Sequence, residues 1–200
     1  MFYIPAKKDV ESKSEIKELR AELEKLETAH KALREPKFEI ACGRNVAGCY
    51  RETLFCLGQA NTQAAFYRIG VKAKCVEPIE GCFGRIMLIT KDEQPKMDAE
   101  SITVTFTPGC DDDATAKTIT NQGLEYLDVL AICQNNQFLL PTPGFRYPTS
   151  LDPQKIFSET GEYLLTVRIS GEKTASVRAI LKFKWTGEWN NSELELVKTE

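Results

Sequence analysis

Histidine is all but missing from this chain: His30 is the only one among 200 residues. A Ser-His-Asp or Cys-His device would therefore need His30 itself beside a nucleophile. Glycine-rich phosphate loops, the Gly-x-Ser-x-Gly elbow and the His-Glu-x-x-His zinc helix are absent too. No apolar run is long enough to cross a bilayer, and no secretory signal opens the chain. Charge of one sign is also lacking. The 26 basic and 29 acidic side chains leave a net charge of -3, which offers no field for nucleic acid. These absences predict a protein that is not an enzyme and takes no cofactor, no metal and no nucleic acid.

Cysteine is the one residue type in surplus, with seven. An odd count with no Cys-x-x-Cys pair argues against an oxidised framework. Cys42, Cys49 and Cys56, then Cys75 and Cys82, recur in steps of seven. An odd step changes face along a strand, so this spacing has no ligand logic. The thiols are read as buried, small apolar groups of a reducing compartment, in the cytoplasm or at the cytoplasmic face of a membrane. Cys75 and Cys82 flank a turn, where a single disulfide is the alternative. Asp111, Asp112 and Asp113 follow Pro108-Gly109 without calcium-loop spacing, and read as a solvated acidic loop.

The first 36 residues carry helical periodicity. Ile16, Leu19, Leu23, Leu26, His30 and Leu33 are spaced alternately by three and four, the a/d seam of a short coiled coil with His30 at an a position. Ser12 with Glu15 suits a capping box, and Pro36 stops the helix. So short a helix is marginal alone, and its seam asks for a partner. Across a parallel pair Glu15 and Arg20 attract, whereas Glu22 and Glu27 repel, so these contacts leave the orientation open. A helix folded back on its own domain is the alternative.

From Lys37 onward the period changes to two. Lys37 to Ala41 reads as a strand, and Gln63 to Lys74 as another with Ala65, Tyr67, Ile69, Val71 and Ala73 on one face. Cys82 to Thr90 has apolar residues on both sides and is expected to be a central strand covered twice. Ser101 to Phe106, Tyr126 to Cys133 and Gln137 to Leu140 follow. The clearest alternation is last. Tyr163, Leu165, Val167 and Ile169, then Val177, Ala179, Leu181, Phe183 and Trp185, form the inward faces of a hairpin. Gly161-Glu162-Tyr163 suits a tyrosine corner. The expected fold is mainly β: an immunoglobulin-like antiparallel β-sandwich of seven to nine strands over residues 37–200, preceded by one amphipathic helix.

The run Ala65-Phe66-Tyr67-Arg68-Ile69-Gly70-Val71-Lys72, then Gly81-Cys82-Phe83-Gly84-Arg85, resembles the opening strands of bacterial CARDB-like immunoglobulin domains. Gly161-Glu162-Tyr163 to Trp185-Thr186-Gly187-Glu188-Trp189 is similar to the end of uncharacterised bacterial proteins with a helical or membrane segment before a C-terminal sandwich. The resemblance implies a non-enzymatic module, often associated with a surface or membrane, and carries over no functional residue.

Two surface features bear on binding. Arg168, Arg178, Lys182 and Lys184 fall on the outward face of the hairpin, a basic face for an acidic partner or anionic headgroups. Trp189 lies past the last turn and is open to stacking on a sugar or a protein partner. The expected function is a non-catalytic protein-interaction module. Its helix makes it a homo-oligomer, or joins it to a membrane tether outside this chain. A carbohydrate-binding module and a purely structural domain are the alternatives.

Overall fold

The computed structural model describes residues 6–57, 60–97, 101–106, 116–143 and 151–200. The chain divides into two compact units, Met1–Glu35 and Pro36–Glu200. The first holds helix α1, Ala6–Arg34. It starts earlier than the capping box suggests, so Ser12 lies inside the helix and not at its end. Ala6, Lys7, Lys8 and Glu11 are strong helix formers, which explains the extension. Lys31 and Arg34 occupy the last turn, where cations favour the helix dipole.

The second unit is mainly β, and every strand pairing in it is antiparallel. One sheet holds β1 (Phe38–Cys42), β2 (Tyr50–Leu57), β3 (Ala60–Ala73), β8 (Glu125–Cys133) and β9 (Phe138–Leu139). The other holds β4 (Ile79–Lys91), β5 (Gln94–Pro95), β6 (Ile102–Val104), β7 (Lys117–Ile119), β10 (Gly161–Ser170), β11 (Val177–Trp185) and β12 (Glu193–Thr199). Twelve strands are thus present among the described residues, against the seven to nine expected. The surplus is mostly short segments. β5, β6 and β7 each pair with a different stretch of β4, while β1 and β2 share one edge of β3. A short turn, α2 (Pro153–Ile156), is capped by Asp152, whose carboxylate accepts from the Gln154 amide at 3.0 Å.

The two sheets share one core. Tyr67, Ile69 and Val71 from β3 meet Leu165, Val167, Ala179, Leu181 and Phe183 from the hairpin, all fully buried or nearly so. The rings of Tyr67 and Phe183 pack edge to face at 5.6 Å, and Phe157 joins them at 5.6 Å from Phe183. The Tyr163 hydroxyl donates to the Glu159 carbonyl, four residues upstream, at 2.6 Å. Gly84 faces inward on β4, and a Cβ there would come within 2.3 Å of the Leu127 side chain.

One strand departs from expectation. β4 is central in its sheet, but it is covered on one face only. Cys82, Gly84, Ile86 and Ile89 are buried, whereas Arg85 and Leu88 are exposed. Thr166 pairs with Leu88 and Val167 with Ile86, so Met87 is the extra residue of a bulge. The bulge shifts the alternation by one, which puts apolar residues at both odd and even positions of a one-sided strand. Like β3 from Ala64 to Val71, β8 is covered on both faces, with Leu127 to Cys133 buried throughout. Its outward side chains Ala131 and Cys133 join Ala64, Phe66 and Leu139 in a second small apolar cluster.

Candidate interaction surfaces

Helix α1 leaves its seam in water. Ile16, Leu19, Leu23 and Leu26 are 49%, 64%, 56% and 63% exposed. His30 is exposed as well, while the side chain of Leu33 lies outside the described residues. The four described apolar side chains form a stripe two positions wide on a helix whose other faces are charged or small. Such a stripe is narrower than the broad apolar face by which a surface helix packs on a globular core.

The outward face of the second sheet carries all four basic residues named from the sequence. Neighbouring strands set their surroundings. Lys182 lies 3.8 Å from Glu162 and 3.4 Å from Glu195, and Lys184 stands opposite Glu162 on one side and Glu193 on the other. These five side chains, three carboxylates against two ammonium groups, line a hollow of about 210 Å³. The expected basic face is therefore slightly acidic at this end, because β12 supplies glutamates that hairpin alternation alone does not reveal.

The other end of that face is different. Arg168 stands directly opposite Arg85 on β4 and Arg178 on β11. All three are exposed, and none forms an ion pair among the described residues. Arg85 lies 5.1 Å over the Phe83 ring. Glu200 is opposite Arg178, but its carboxylate is held 2.5 Å from Lys198. The hydrogen bond to Lys198, and then its charge, lower the Glu200 pKa, with a smaller contribution from Arg178. Sequence reasoning misses Arg85, since no local pattern places residues 85, 168 and 178 in one row.

Trp189 is half-buried and packs against the main core. Its carbonyl accepts the Tyr67 hydroxyl at 2.9 Å. Arg44 donates to the Asn190 carbonyl and lies 4.1 Å over the Tyr50 ring. The Tyr50 hydroxyl is 2.5 Å from Glu52. Burial raises the Tyr67 pKa to about 12, and burial followed by the Glu52 bond raises that of Tyr50. The corner is thus closed by its own hydrogen bonds. Trp185 is in the core, its ring 4.8 Å from Phe138 and edge-on to it.

Cys42, Cys49, Cys75, Cys82 and Cys133 are free thiols, so Cys75 and Cys82 are not bridged. Burial raises the pKa of Cys42 to about 12 and that of Cys82 to about 11, and also lifts Cys49 and Cys133. Thiols so far from ionising are poor nucleophiles and poor ligands. No group of three or more His, Cys, Asp or Glu side chains is placed to hold a metal among the described residues. Cys110 and the Asp111–Asp113 loop lie outside those residues, as does the side chain of Cys56. No helix among the described residues is long and apolar enough to cross a membrane.

No known protein family, curated protein or solved structure matches the chain.

Proposed function

We propose that the chain is a non-catalytic protein-interaction module, an immunoglobulin-like sandwich that is oligomerised through its N-terminal helix. The observation that carries this reading is the exposed stripe of Ile16, Leu19, Leu23 and Leu26. Apolar surface of this kind gains roughly 25 cal/mol per Å² when a partner removes it from water. The hydrogen bond from Tyr163 back to Glu159 and the single core between two antiparallel sheets support the immunoglobulin-like reading. The free thiols support a reducing compartment.

The partner of the helix is a second copy running antiparallel. In that register Ile16 meets Leu33, Leu19 meets His30 and Leu23 meets Leu26, each twice by symmetry. Arg20 then flanks Glu27 of the second copy on both sides of the pair, and Glu22 flanks the neutral Ala29. A parallel pair instead sets Glu22 against Glu27 twice and stacks His30 on His30. The like-charge contact of the antiparallel pair, Arg34 with Lys13, falls beyond its last apolar layer.

Light scattering of residues 1–200 beside residues 36–200 tests the proposal. A dimer that becomes a folded monomer on removing the helix supports it. A full-length monomer at tens of micromolar sinks it.

A further inference from the structure

We propose that Arg85, Arg168 and Arg178 form a binding row for a polyphosphate anion. The site lies wholly on the sandwich and does not depend on how the helix pairs.

The first observation is a contrast within one sheet face. Where Lys182 and Lys184 lie, each lysine is set between glutamates of the adjoining strands. Two rows away, three arginines stand side by side with no acidic residue between them. Directly opposed side chains on neighbouring strands have Cβ atoms roughly 4.5–5.5 Å apart, where like charges destabilise the sheet. The cost recurs at both Arg168–Arg85 and Arg168–Arg178. An anion laid across the row would remove both repulsions.

The second observation concerns residue type. The end lined by glutamates uses lysine, whereas the row of like charges is all arginine, with Glu200 flanking only its Arg178 end. A guanidinium offers a planar fork that bonds phosphate oxygens two at a time and sheds water more readily than an ammonium. With strands about 4.8 Å apart, the row delivers three such forks within roughly 10 Å. That density of positive charge matches a chain of linked phosphates. An extended acidic peptide fits less well, because its same-face carboxylates recur only every ~7 Å. A flat anionic membrane would also have to meet Glu162, Glu193 and Glu195 on the same face. Phe83 at 5.1 Å from Arg85 holds the end guanidinium over the sheet surface.

The test is a titration of the full chain with inorganic tripolyphosphate at constant ionic strength, read by calorimetry and by the melting temperature. The expected result is a rise in melting temperature that sodium chloride of equal ionic strength does not give. Arg168→Gln then weakens binding about tenfold or more, the worth of one charged hydrogen bond. Lys184→Gln, on the glutamate-lined part of the face, leaves binding unchanged. Arg168→Glu raises the melting temperature of the unliganded protein, since it turns two repulsions into attractions, and abolishes the response to tripolyphosphate. Absence of binding overturns the proposal, as does equal binding by wild type and Arg168→Gln. Two other results also overturn it: polyglutamate binding as tightly as tripolyphosphate, or phosphatidylserine vesicles retaining the protein while tripolyphosphate does not bind.

Discussion

Arg68 on β3 lies 2.6 Å through its Nε from an Oδ1 of Asp128 on β8, with side chains only 6% and 10% exposed. The two are cross-strand partners at the bulge where Tyr67 pairs with Leu130 and Arg68 with Asp128. They sit on the face of the first sheet that also carries Phe66 and Ala131, away from the main core. Removing one charge of such a pair strands the other. Asp128→Ala is expected to cost about 3–5 kcal/mol. Replacing both by apolar residues of similar size is expected to cost far less. Urea unfolding of the two variants, read by fluorescence, checks this. Equal loss in both would mean that the pair is not the source of the effect.

Tyr163 ties the entry of β10 to the preceding loop through the Glu159 carbonyl. Its ring also packs 5.0 Å from Phe157, a contact that phenylalanine keeps. Tyr163→Phe should therefore remove the hydrogen bond alone, at about 1 kcal/mol. The melting temperature is expected to fall by roughly 2–4 °C for a domain of this size. A change within experimental error would show that the corner contributes no stability.

The half-buried Cys42 thiol and the buried Cys82 thiol make stability depend on alkaline pH. Cys42 and Cys82 ionise at about 12 and about 11 in the fold, against 9.0 for an ordinary thiol, chiefly because burial disfavours the thiolate. The unfolded chain gives up these protons first. The stability they carry is therefore full below about pH 9 and is lost as pH climbs toward the folded values. The melting temperature should decline above pH 9 more steeply than in a Cys42→Ala, Cys82→Ala variant. Iodoacetamide at pH 8 should leave both cysteines unmodified until urea is added. Rapid modification of Cys42 in the native protein would contradict the burial argument.

Glu27 separates the two orientations of the helix pair by the sign of a single effect. In the antiparallel pair, Glu27→Arg sets Arg20 against the introduced guanidinium of the second copy and weakens the dimer several-fold. In a parallel pair the same change turns the Glu22–Glu27 repulsion into attraction and tightens it. Sedimentation equilibrium of wild type and Glu27→Arg decides between them.

The sequence made some of this architecture legible and hid the rest for physical reasons. The β10–β11 hairpin is plain because inward residues alternate strictly over Tyr163–Ile169 and again over Val177–Trp185, on either side of the turn. β4 misleads because the bulge at Met87 reverses the alternation within one strand. β2 is hidden: Arg51, Glu52 and Thr53 look like a loop, yet β3 supplies its backbone partners. The helical stripe can be read directly, since residues three and four apart share a face without help from any other element. The arginine row cannot. It depends on register among three strands, which only long-range pairing fixes.

The Cys42 thiol donates to the Leu194 carbonyl at 3.5 Å, across 152 positions of sequence, and Tyr67 reaches Trp189 across 122. The opening strand of the sandwich thus closes against β12. During synthesis, the inward side chains of β1 and β3 must wait for residues near 190 before their core is sealed. A chain halted before β10 would hold Tyr67, Ile69 and Val71 open to water, a surface for a chaperone to shield. Folding of this domain is therefore expected to wait until β12 has emerged from the ribosome, and to be slow for its size.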